Sequence, residues 1–146
     1  MRFLVDTNIF LDFLLKREPF SHKSKLFFKL SRMGHHQIFL SAMSLRDIGY
    51  ISMHYTHDWK KSRLIQRSAY EMCSKVVNLT ADAGISSIYD DIKDYEDCLM
   101  MYTAQEGMCD LIVTNNKKDF QNSKIPAIDI DEANEALAYL NRDIIK

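Results

Sequence analysis

At 146 residues the chain has the length of one folded unit, residues 1–146 as a single domain, enough to bury most of its apolar surface in one core. With 47% hydrophobic and 27% charged residues, four Gly and two Pro, it is neither disordered nor fibrous, and a net charge of −1 excludes the uniformly positive field of a general nucleic-acid binder. Cys73, Cys98 and Cys109 match neither a zinc spacing nor a disulfide framework, and no apolar run reaches the roughly 18–20 residues of a membrane span. Free thiols in a soluble, cytoplasmic protein without a leader or membrane anchor are therefore expected.

Residues 3–5 (FLV) form a first strand that runs straight into Asp6. A helix over residues 7–15 follows, with Ile9, Phe10, Phe13 and Leu14 on one face, and Pro19 breaks it. Ser21 is the expected cap of a second helix that buries Leu26, Phe27 and Leu30. Lys16, Arg17, Lys23, Lys25, Lys29 and Arg32 make this segment basic and suited to a nucleic-acid backbone. Residues 38–40 read as a second strand, then Ser41 or Ser44 caps a helix to about Tyr55, and another runs from about Trp59 to Ser74. Tyr50, Tyr55 and Trp59 are expected in the core or a dimer contact, and the five histidines on the surface.

Residues 76–79 give a third strand, ahead of an acidic stretch with Asp82, Asp90, Asp91, Asp94, Glu96 and Asp97 against Lys93 alone. Asp94 is the expected cap of a helix ending at Gln105 or Glu106, with Gly107 as its left-handed terminus. Residues 111–113 form a fourth strand, residues 127–128 a weak fifth, and Asp131 caps a last helix to about Leu140. Strands alternating with helices predict a parallel sheet covered on both faces, the α/β class, because parallel strands need helical crossovers.

Functional groups of open parallel sheets collect where the strands' carboxyl ends meet the following loops. Asp6 stands at one such end; Thr114, Asn115 and Asn116 stand at another, in LIVTNNKKDF (residues 111–120), with Asp119 just beyond. Taken alone, Asp6 reads equally well as a capping acid. Asp47, in SAMSLRDIGY (residues 41–50), lies among Leu45, Ile48 and Ile51, and Asp is a poor helix former, so exposure alone does not account for it. Asp97, in DYEDCLMMYTAQEG (residues 94–107), sits in the first turn of an apolar helix, where capping and function are again equal readings. Several part-buried carboxylates repel one another unless a cation lies between them, and an all-oxygen donor set suits Mg²⁺ or Mn²⁺.

VDTNIFLDFLL, the serine-led helix carrying Asp47, YEDCLMMYTAQEGMCDLIVTNNKKDF and the short tail strand, in this order, resemble a PIN domain over nearly the whole chain. The chain is most similar to bacterial PIN domains of the VapC toxin type. The resemblance implies an α/β/α sandwich around a mostly parallel sheet of about five strands, with acids converging at the strand ends. It also implies a Mg²⁺- or Mn²⁺-dependent endoribonuclease that leaves a 5′-phosphate and a 3′-hydroxyl, an antitoxin partner and a homodimer. Asp6 matches the family's first acid and Asp97 its third, the pair that most directly holds the metal. Asp47 stands where the family usually has Glu, which shortens the arm by one methylene. Asn116 stands where the family usually has a fourth Asp, with Asp119 three residues on as the source of the missing charge. Asn8 and Thr114 match polar positions that orient the acids or the attacking water. The two departures keep open a catalytically weakened PIN fold that binds RNA or a partner. An α/β phosphatase with Asp6 as nucleophile would want a second Asp at position 8 and a strand-end Lys, and the sequence offers neither.

Overall fold

The computed structural model describes residues 1–145. In chain order it contains β1 (Arg2–Val5), α1 (Thr7–Leu14), α2 (Ser21–Met33), β2 (Gln37–Ser41), α3 (Ala42–Thr56), α4 (Trp59–Met72) and β3 (Lys75–Val77). Then come α5 (Ala81–Tyr89), α6 (Tyr95–Glu106), β4 (Leu111–Val113), a 3₁₀ turn (Lys117–Phe120), β5 (Ala127–Ile128), α7 (Ile130–Leu140) and α8 (Arg142–Ile145). The five strands form one sheet in the order β3-β2-β1-β4-β5, every pairing parallel.

Side chains of a strand alternate between faces, and β1 uses both. Phe3 and Val5 pack with Phe10, Phe27, Ile48 and Leu137, from α1, α2, α3 and α7. Leu4 points the other way, into Met100, Met101 and Ala104 of α6. The register keeps the faces consistent, since Leu4 pairs with Phe39 on one side and Ile112 on the other, and both belong to the second cluster. Each such fully buried side chain contributes about 1.5–3 kcal/mol, so β1 is clamped from both faces and the residue that follows it is rigidly placed. This is the α/β/α architecture that the strand-helix alternation predicts.

Several helix ends differ from the sequence-based expectation. Ser21 is the first residue of α2 rather than its cap; Phe20 occupies the cap position without a side-chain hydrogen bond. Gly107 follows α6 with φ −75°, and the left-handed residue is Met108 at φ 51°. Asp131 lies in the first turn of α7, and Asp129 caps it: the Asp129 carboxylate accepts from the Glu132 N–H while the Glu132 carboxylate accepts from the Asp129 N–H. The cap falls on Asp129 because that residue leaves β5 in extended conformation. The acidic stretch contains an unanticipated helix, α5, capped by Thr80; Ile85 and Ile88 stay exposed on it, so no clean amphipathic period marks it in the sequence. Tyr50, Tyr55 and Trp59 are exposed rather than in the core. His36 is half-buried, within 3.1 Å of the Asn141 side chain. Among the described residues no helix is long and apolar enough to cross a membrane.

Candidate active site

From β1 the chain moves to one side of the sheet and from β4 to the other, so the crevice between their carboxyl ends is the switch point at which open α/β sheets bind ligands. Asp6 and Thr114 are the first residues beyond β1 and β4. The Asp6 N–H donates to the Val113 carbonyl at 2.9 Å, and the Thr114 hydroxyl donates to Asp6 Oδ2 at 2.9 Å. Asp6 holds the cap position of α1 yet makes no capping hydrogen bond with its side chain. The carboxylate is thus not used as the helix cap that the sequence allows, and its partner is the hydroxyl at the end of β4. Burial raises its pKa above the ordinary carboxylate value, the Thr114 hydroxyl and the Thr7 N–H partly offset that, and the charge of Asp12 adds to the rise.

Asp97 is freed from capping in a different way. Asp94 caps α6, accepting from the Asp97 N–H at 3.0 Å, so the Asp97 side chain has no cap to make. Its pKa is pushed up to about 6, first by burial and then by the charges of Asp94, Asp119, Asp6 and Glu96. Asp97 and Asp119 line one cleft of about 570 Å³ together with Asp94 and Asn122. Asp97 therefore lies within electrostatic reach of both Asp6 and Asp119; Lys93 lines the same cleft, but among the described residues no basic side chain forms a salt bridge with any of the three acids.

The other expected residues are placed less centrally. Asp47 is not drawn into the group: its Oδ1 accepts from Arg46 at 3.0 Å, and its charge is not among the main causes acting on Asp6 or Asp97. Asn116 is exposed, and its N–H donates to the Thr114 hydroxyl at 3.1 Å. The Asn8 side chain accepts from Arg17 at 3.2 Å and orients no acid. Sequence reasoning missed Asp12. This carboxylate is buried, 2.8 Å from the Arg17 guanidinium, and accepts from the Asn115 amide at 3.3 Å. An acid inside the apolar run IFLDFLL was the signal that could have found it.

No three His, Cys, Asp or Glu side chains among the described residues gather closely enough to form a ready metal-binding group. The donor chemistry nevertheless fits a hard divalent ion: the side chains offer oxygen donors only, and the charges of Asp119 and Asp6 are among those that raise the pKa of Asp97.

The PIN domain family profile matches residues 2–118. The chain belongs to the PIN-domain family. The match takes in Asp6, Asp47, Asp97 and Asn116 and stops one residue before Asp119. Solved structures similar to this PIN domain include VapBC2 from Rickettsia felis bound to a DNA fragment from its promoter, 16% identical with a TM-score of 0.64, covering 88% of this chain and 98% of that one. A toxin–antitoxin complex from Klebsiella pneumoniae is 18% identical with a TM-score of 0.59, covering 86% and 94%. FitAB bound to the IR36 DNA fragment is 12% identical with a TM-score of 0.64, covering 88% and 94%. At these identities the likeness is one of fold. No curated protein sequence matches the chain.

Proposed function

We propose that this PIN domain is a metal-dependent endoribonuclease and the toxin of a bacterial toxin–antitoxin pair. Asp6 and Asp97 would hold Mg²⁺ or Mn²⁺, Asp119 adds charge beside them, and Asp47 and Asn116 have lesser parts. The observation that carries the reading is the part-buried Asp97 carboxylate, which feels the charges of Asp6 and Asp119 and forms no salt bridge with a basic side chain among the described residues. A bound divalent ion supplies hydroxide near neutral pH and neutralises charge on the reacting phosphate. The chain's own part is positioning. β1 and the Thr114 hydroxyl hold Asp6 in one orientation, and the bond from the Asn116 N–H to that hydroxyl keeps the β4 loop in place. Burial and neighbouring carboxylates push the Asp97 pKa up to about 6, and a cation held there would favour its ionised form.

Within the basic segment, Arg17 and Lys23 line a cleft beside Asn8 and Asn116, where an RNA backbone would pass. Lys25, Lys29 and Arg32 border a separate cavity with Gln37 and Ile38, at the amino end of β2. An antitoxin partner is supported by the toxin–antitoxin complex among the structural neighbours, and a homodimer by the exposed Tyr50, Met53 and Trp59 on α3 and α4.

Purified protein should cut a panel of single-stranded and structured RNAs with Mg²⁺ or Mn²⁺ and not with EDTA, and Asp6→Asn and Asp97→Asn should abolish cutting while keeping the circular dichroism spectrum. Retained cutting in either variant refutes the assignment. The weakened binding module is favoured by Asn116 in place of an acid and by the pairing of Asp47 with Arg46. It predicts RNA or partner binding with neither cutting nor Mg²⁺ uptake.

A further inference from the structure

We propose that Asp12 and Arg17 are positioning residues: through Asn115 and Asn8 their buried ion pair holds the β4 loop against α1 and so keeps the Thr114 hydroxyl on Asp6. What that geometry serves rests on the metal-dependent reading. Asp12 divides its two oxygens between the partners. Oδ1 lies 2.8 Å from the Arg17 guanidinium, and Oδ2 accepts from the Asn115 amide at 3.3 Å. Arg17 in turn donates to the Asn8 carbonyl at 3.3 Å and to the Asn8 side chain at 3.2 Å. Asn8 lies in the first turn of α1, two residues after Asp6, and Asn115 directly follows Thr114. One ion pair thus ties together the two segments that carry Asp6 and its hydroxyl partner.

The tie is needed because the sheet stops at this point. The Thr114 N–H donates to the Ile128 carbonyl at 3.0 Å, and the Asn116 N–H turns back to the Thr114 hydroxyl. Among the described residues, the Asn115 amide makes the one hydrogen bond that joins residues 115–116 to another element. Stability alone does not account for the pair. Burial raises the Asp12 pKa despite the guanidinium beside it, and Arg17 buries its Nε without a hydrogen-bond partner. Well-packed apolar side chains often replace a buried ion pair without loss of stability. What they would not supply here is the set of directed bonds to Asn8 and Asn115.

The test compares wild type, Asn115→Ala and the double variant Asp12→Leu/Arg17→Met by NMR in EDTA, with Mg²⁺ calorimetry beside it. Three-bond couplings should report one Thr114 χ1 rotamer in the wild type and averaged rotamers in both variants. The Thr114 amide should exchange about tenfold faster in both, as for loss of one charge-assisted bond, while the Ile112 amide inside β4 keeps its rate. The double variant should melt within about 4 °C of the wild type. Both variants should bind Mg²⁺ about tenfold more weakly, the low end for residues standing behind metal ligands. In a Thr114→Val background, Asn115→Ala should leave Mg²⁺ affinity unchanged, which a merely structural role would not give. A single Thr114 rotamer in both variants, equal acceleration at Ile112, or an Asn115→Ala effect that survives Thr114→Val overturns the proposal. The couplings and exchange are read without metal, so failure of the metal-dependent reading appears separately, as no Mg²⁺ uptake by the wild type.

Discussion

Replacing Asp97 with Asn should stabilise this protein at neutral pH while removing its activity. Asp97 has a folded-state pKa of about 6 against the ordinary aspartate value of 3.8, so between these values the native chain holds a proton that the unfolded chain has lost. Stability therefore falls as pH rises through that window, and above pH 6 the ionised Asp97 exerts its full cost. A rise of this size corresponds to roughly 3 kcal/mol unscreened, and partial exposure reduces this to about 1–2 kcal/mol. The Asn variant also forfeits a favourable charge in the first turn of α6, about 0.3–1 kcal/mol. The net gain at pH 7.5 is then about 1 kcal/mol, or a Tm higher by about 2–4 °C. At pH 4, where Asp97 is largely protonated in the folded chain, the gain should vanish. Mg²⁺ should raise the Tm of the wild type at pH 7.5 and leave the variant unmoved, because only a ligand that binds the folded state adds stability. Thermal melts at both pH values decide the matter. A variant less stable at pH 7.5, or a gain independent of pH, refutes the view that these carboxylates strain one another.

Thr114→Val removes the donor to Asp6 and should cost about 1–2 kcal/mol in urea unfolding, with weaker Mg²⁺ binding by calorimetry. Arg17→Met strands the buried Asp12 carboxylate and should cost about 2–4 kcal/mol; a loss below about 0.5 kcal/mol would show the pair to be dispensable. Asp129→Ala dismantles the capping box of α7 and should cost about 1 kcal/mol by urea denaturation. Asp47→Ala should change Mg²⁺ affinity by no more than about threefold, the scale of an exposed ion pair, while Asp6→Asn should reduce it far more.

The fold class was legible in the sequence because strand and helix periods alternate cleanly, and residues 111–113 and 127–128 coincide with β4 and β5. Helix ends were less legible. Whether Asp129 or Asp131 caps α7 depends on which residue leaves β5 extended, a tertiary fact. Helix α5 was hidden because its exposed Ile85 and Ile88 erase the usual contrast between an apolar and a polar face.

For the candidate site, sequence by itself determined which residues bear carboxylates and that Asp6 and Thr114 follow strands. It left Asp6 and Asp97 balanced between capping and chemistry, since an acid at a helix start serves either use. Only the tertiary structure decided the capping question: the Asp6 carboxylate makes no cap bond and accepts from the Thr114 hydroxyl, and the Asp94 side chain takes the cap of α6 in place of Asp97. The same holds for Asp12, whose partner Asn115 is distant in sequence and reaches it only because β1 and β4 pair side by side. Residue type is a local property, but the role of a charge is set by the neighbours that desolvate, pair or repel it, and these come from across the sheet.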